Sequence, residues 1–423
     1  MIVRQFLHWV RTAPAGERAE ATGALARAYL YSDLAPDDRD AAEGAMITLV
    51  DDPSPLVRRS LAEALAGSPD APHAVIHALA SDHRDIAAVV LARSPLFIDA
   101  ELVDLVAMSD GVLQSAIAAR APVQCAVAAA IAEVGAPEAC LIAIENPYAD
   151  IAPISIARIV ARFGHLGAIR EALFARPDLP LTARQTLVRM LSGVLADFVT
   201  DRAWLARDRA QQVVHEACEK ATVTIAGLGA DDDTRPLIRH LRASGQLNAG
   251  LVLRALLSGN IRMFEDALAE LSELPPRRVQ ALVHDRGHAG FRAVFDKAGL
   301  PASTYVAFRA ALTAIREAYH NGEFLGMSRL KRRMVERVLT SCERCDLGDV
   351  EPLLILLRRF AAEAAREDAR IYCDELVAQQ PVPDWRARDW PEQDPVEDDW
   401  SDQDTSAHDL SAQDTAEHDL VAA

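Results

Sequence analysis

The amino-acid sequence predicts an all-α protein: an α-solenoid of repeated helix pairs, then a second helical module, then a disordered acidic C-terminal tail. Three observations predict it. Half of the 423 residues are apolar but only 5% are aromatic, and Ala and Leu, both strong helix formers, outweigh the Val, Ile and aromatic residues that favour strands. Apolar residues recur at i, i+3, i+4 and i+7 rather than alternating, which is the spacing of one helix face. Phrases that end one helix and start another return at irregular spacings of about 28 to 36 residues, as short helix-pair repeats do.

The first residues, Met1 to Pro14, carry Arg4, His8 and Arg11, with no apolar run of signal-peptide length. The first repeat phrase is Asp51-Asp52-Pro53-Ser54-Pro55-Leu56-Val57-Arg58. Ser54 suits a helix N-cap and Pro55 the first helical position, where its missing N–H is no loss. Val57, Leu61 and Leu65 then fall on one face with Ala64 beside them. Related phrases begin at Ser81-Asp82, at Ser109-Asp110-Gly111, at Asn146-Pro147 and at Arg176-Pro177. After the fourth, Ile156, Ile159, Val160 and Phe163 make another helical stripe. No single pair buries its apolar face alone, so the pairs must stack. The Asp51 to Arg58 phrase resembles the HEAT-repeat signature. That resemblance implies structural roles for Asp51 and Arg58 in linking neighbouring repeats. The later copies depart from it, since Ile86 is followed by Ala87 rather than Arg.

A break at Gly227-Leu228-Gly229-Ala230, followed by Asp231, Asp232 and Asp233, ends the repeat domain of residues 1–226. A second helical domain is expected over residues 234–378. Its stripes are Leu253, Leu256 and Leu257; Phe264, Leu268 and Leu271; Val279, Leu282 and Val283; Phe308, Leu312, Ile315 and Tyr319; and a last helix marked by Leu353, Leu356, Leu357 and Phe360. Pro275-Pro276 and Gly299-Leu300-Pro301 break the helices between them. The runs Gly245-Gln246-Leu247, Leu253 to Asn260, Phe264-Glu265, Leu268-Ala269 and Asp285-Arg286-Gly287 resemble a family of uncharacterised alphaproteobacterial proteins, a domain of unknown function with HEAT-like helical repeats. The resemblance covers most of residues 20–320 and implies no catalytic residues.

Residues 379–423 form the tail. From residue 381 onward it holds ten Asp and three Glu against two Arg, a net −11, so the rest of the chain carries −18 − (−11) = −7. It also duplicates a decapeptide, Ser401 to Leu410 and Ser411 to Leu420. So little apolar area cannot offset chain entropy, hence the expected disorder.

Several chemistries are excluded by what is missing. Lysine occurs only at Lys220, Lys297 and Lys331, and no Gly-Lys-Ser/Thr triplet forms a P-loop. Gly227 and Gly229 follow no strand and lack the third glycine of a dinucleotide loop. The six cysteines, Cys125, Cys140, Cys218, Cys342, Cys345 and Cys373, are too sparse for a disulfide framework and point to a reducing cytoplasm. Cys342 and Cys345 form a lone CxxC without a second ligand pair, although Cys373 and His320 could complete a set. His284 and His288 stand four apart, a metal-like spacing, but Asp285-Arg286-Gly287 between them reads as a turn, with Arg286 placed to bond helix-end carbonyls. Paired carboxylates such as Asp37-Asp38 sit where helix starts favour negative charge. The most apolar stretch, Ala121 to Ala132, is too short to span a bilayer. No catalytic residue, cofactor or metal site is therefore expected.

Two features point to partners. Arg329, Lys331, Arg332, Arg333 and Arg337 form the densest basic segment, and Trp385, Trp390 and Trp400 stand in the acidic tail with no core to fill. The leading expectation is a non-catalytic cytoplasmic scaffold that binds a protein partner and spans no membrane. The alternative is a helical-repeat protein that binds nucleic acid through the basic segment, even one that acts enzymatically on DNA.

Overall fold

The computed structural model describes residues 2–229, 234–285, 288–320, 332–343 and 351–379. Among them are twenty-two α-helices, one 3-10 turn at Ala302–Thr304 and no β-strand. Residues 1–369 make one compact unit, and of the second, residues 370–423, only the end of the last helix is described.

The first twelve helices are α1 (Ile2–Val10), α2 (Ala15–Tyr31), α3 (Pro36–Leu49), α4 (Pro55–Leu65), α5 (His73–Ala80) and α6 (Arg84–Arg93), then α7 (Asp99–Met108), α8 (Gly111–Ala118), α9 (Cys125–Val134), α10 (Pro137–Glu145), α11 (Pro153–Phe163) and α12 (Gly167–Ala175). Most are too short to persist alone in water, so tertiary packing supplies their stability. The even-numbered helices from α2 to α12 pack each on the next, and α7, α9 and α11 make a second file beside them. Proline at the first turn starts α3, α4, α10 and α11. Asp110 caps α8, its carboxylate accepting from the N–H groups of Val112 and Leu113 at 3.1 Å each. Ser54 holds the N-cap position of α4, but its side chain makes no capping bond. Val57, Leu61 and Leu65 are buried as their spacing predicts, Ala62 is buried with them, and half-buried Ala64 packs against the same core.

Adjacent pairs are tied by arginines. Arg18 of α2 donates to both oxygens of Asp52 at 2.8 and 3.0 Å, and Arg58 of α4 does the same to Asp82 at 2.6 and 3.0 Å. The linking carboxylate is thus Asp52, not Asp51: Asp52 is buried and also accepts the Ser54 N–H, whereas Asp51 faces solvent. Burial pushes the Asp52 and Asp82 carboxyls up, yet hydrogen bonds and charge from the arginines outweigh it and hold both below their ordinary value. Farther along, the ties go to helix-end carbonyls instead. Arg120 donates to Leu91 and Ser94, Asn146 to Ala118 and Arg120, and Arg162 to Ala132 and Gly135. Each reaches back about one repeat and satisfies carbonyls that the preceding helix end leaves open.

The remaining helices are α13 (Leu181–Asp201), α14 (Arg207–Leu228), α15 (Thr234–Ala243), α16 (Ala249–Leu257) and α17 (Ile261–Ser272), then α18 (Pro276–His284), α19 (His288–Lys297), α20 (Tyr305–His320), α21 (Arg332–Glu343) and α22 (Glu351–Gln379). α16 is central. Its residues 251–257 are all buried, so Leu253, Leu256 and Leu257 belong to a helix enclosed on every side rather than to a one-faced stripe. Phe264, Phe291, Phe295, Tyr305 and Phe308 pack around one another with ring centroids 5.2 to 6.4 Å apart.

The buried hydrophobic residues fall into two cores. One runs from Ala26 to Leu187, the other from Val223 to Ala364. The segment between Leu187 and Val223 contributes no buried member to either.

Candidate interaction surface

That intervening segment is a hairpin of two long helices, α13 and α14, of 21 and 22 residues, packed along each other. Five residues join them. Ala203 takes the left-handed conformation at φ 55°, and the Val199 carbonyl accepts the Trp204 N–H at 3.0 Å. Two stripes run down α13. Val188, Ser192, Ala196 and Val199 are half-buried, as residues facing the other arm should be. Leu191, Val194, Leu195 and Phe198, at i, i+3, i+4 and i+7, point elsewhere: Val194 and Leu195 are each 53% exposed and Phe198 44%. At the tip Trp204 is 63% exposed and meets Phe198 edge-on, centroids 5.7 Å apart, with the Arg202 guanidinium over both rings. Val213 on α14, level with Val194 across the hairpin, is exposed as well.

The two roots of the hairpin are anchored. Gln185 donates to Gln246 at 2.7 Å, and Thr186 lies 3.2 Å from His240. Burial and the nearby Arg189 push His240 below its ordinary value. On the other arm Arg254, only 2% exposed, is gripped by Glu363 of α22 at 2.6 Å, stacks on Phe360 and lies 3.7 Å from Glu219 of α14. Lys220 reaches Glu367 at 2.9 Å, and Arg359 reaches Glu216 at 3.0 Å. The hairpin is therefore anchored at its base, and among the described residues no hydrogen bond, ion pair or ring contact ties its outer half to another element.

The sequence-derived candidates that the structure describes lie on other helices. Arg332, Arg333 and Arg337 stand on the exposed side of α21; Arg332 pairs with Glu336 of the same helix and Arg337 with Glu317 of α20. Arg329, Lys331, Cys345, Arg286 and Trp385, Trp390 and Trp400 lie outside the described residues. Cys342 is buried, while Cys373 is exposed. His284 ends α18 and His288 opens α19, so the pair does not share a helix face; His284 pairs with buried Glu265 at 2.6 Å. Near that turn Arg316 donates to the carbonyls of Val283 and Asp285. Among the described residues no three His, Cys, Asp or Glu side chains are grouped to hold a metal, and no helix is long and apolar enough to cross a membrane.

Sequence reasoning missed the hairpin face. Its signal was present, since Leu191, Val194, Leu195 and Phe198 follow helical spacing, but the same pattern marks a core face wherever a neighbour covers it. No curated protein and no solved structure matches the chain. A family model described as an uncharacterised protein conserved in bacteria, DUF2336, matches residues 86–348. That span is more than half of the 423 residues and takes in the whole hairpin, and the chain belongs to this bacterial family.

Proposed function

We propose that this protein is a non-catalytic interaction scaffold of the bacterial cytoplasm, its stacked pairs acting as a HEAT-like solenoid that carries a docking hairpin. The observation that supports this is the uncovered apolar face of α13 and its tip, since soluble proteins seldom leave large apolar patches without a use. The acidic tail with Trp385, Trp390 and Trp400 supplies a second, tethered contact in the same reading. The nucleic-acid alternative through Arg329, Lys331, Arg332, Arg333 and Arg337 draws less support, because Arg332 and Arg337 are already paired with carboxylates.

The test is affinity capture from the native cell. Three baits are compared: the full chain, a Leu195→Asp/Phe198→Asp variant and a chain ending at residue 380. A partner held by the full chain and lost by the hairpin variant supports the reading. Identical captures from all three, or a captured species that nuclease removes, count against it.

A further inference from the structure

We propose that the hairpin's apolar face docks on the same face of a second copy of this chain, the two hairpins closing a four-helix bundle about a twofold axis; this rests on the interaction reading and names its partner. A stripe at i, i+3, i+4 and i+7 on one arm of an antiparallel helix pair is half of a bundle seam, and a second pair completes it. A twofold contact is self-complementary, so one patch suffices for both sides.

Area and charge both favour that occupant. The exposed parts of Val194, Leu195, Phe198, Trp204, Leu205 and Val213 amount to roughly 600 Å² of side-chain surface, against about 800 Å² per partner in a standard interface. Half-buried Leu191, the exposed Ala206 just before α14 and the exposed Ala217 on α14 add to them and bring the total within reach. Residues 188–214 carry four arginines (Arg189, Arg202, Arg207, Arg209) and three aspartates (Asp197, Asp201, Asp208), a net of 4 − 3 = +1 in a chain of −18. Two copies of this acidic protein can thus bring their hairpins together with little repulsion, and charges of both signs near the tip can cross-pair about the axis. The strongly acidic tail would meet only this single net positive charge, a poor complement.

The experiment is sedimentation velocity on the full chain over a concentration series of about 1–100 μM, the weak end of the affinities such areas give. Leu195→Asp, Val213→Asp and Trp204→Ala variants are run beside it, with helicity checked by circular dichroism. The expected result is a dimer for the full chain, with self-association at least about tenfold weaker in each variant at unchanged helicity. All three positions are exposed, so at least one variant will retain the fold. A full chain that stays monomeric throughout overturns the proposal, as does a dimer that every folded variant preserves. If the chain is monomeric but the hairpin variant still loses its captured partner, the second copy is wrong and the interaction reading stands.

Discussion

Arg58 of α4 grips Asp82, in the turn before α6, with two hydrogen bonds of 2.6 and 3.0 Å, and its remaining arm donates to the Asp52 carbonyl at 2.6 Å. One side chain thus ties α4 to the turn that precedes it and to the turn before α6. Replacing Asp82 by Ala should cost about 1–2 kcal/mol, toward the low end for bonds to charged groups because the edge of the pair meets water. Urea denaturation of Asp82→Ala, Arg58→Ala and the double variant measures it, and additive losses would show the two side chains to be uncoupled.

The same carboxylates set an acid limit. Asp52 and Asp82 titrate below their ordinary 3.8 in the folded protein. The unfolded chain therefore takes up protons first as pH falls. Their stabilisation is complete above the unfolded value and is lost as pH drops through the depressed folded values. Melting temperature should fall steeply below about pH 4 and less steeply in the Asp52→Asn/Asp82→Asn variant. Parallel pH profiles for the two proteins would remove these groups as the cause.

Arg254 is the riskiest side chain to remove. It is enclosed by α14, α16 and α22, and its loss takes the buried guanidinium from between Glu219 and Glu363, leaving Glu363 only the more exposed Lys220 at 3.6 Å. Arg254→Met should destabilise the protein by about 3–5 kcal/mol, the range for breaking a buried pair on one side. Adding Glu363→Gln should return part of that loss in the same denaturation assay, because one of the stranded charges goes with it.

Ala203 turns the hairpin at φ 55°, a conformation that strains any side chain with a Cβ. Ala203→Gly should stabilise the hairpin locally by about 0.5–1 kcal/mol after glycine's greater freedom in the unfolded chain is subtracted. Amide hydrogen exchange across residues 195–212 reports this directly. Faster exchange in the variant would contradict it.

The cysteines should divide by reactivity. Burial pushes the Cys140 thiol up to about 11, whereas Cys125 and Cys373 are exposed. Mass-resolved alkylation at neutral pH should label Cys125 and Cys373 promptly and reach Cys140 only on unfolding, since the thiolate is the reacting form. Prompt labelling of Cys140 in the native protein would show that its helix pair opens.

Local chemistry determined much of this protein from the sequence by itself. Pro55 and Asp110 start helices for reasons contained within one turn, and the spacing of Val57, Leu61 and Leu65 declares a helix face wherever it occurs. Tertiary structure decided what covers each face. Of two adjacent aspartates, packing buried Asp52 against Arg18 and left Asp51 in water. It enclosed α16 on all sides, so that the polar position in its Leu-rich run, Arg254, became a buried cation held by a helix more than a hundred residues away. It also left Val194, Leu195 and Phe198 open to solvent, although their spacing matches that of core stripes. The reason is that periodicity records which residues share a face, a property of one helix. Whether that face is buried depends on which distant helix comes to rest against it.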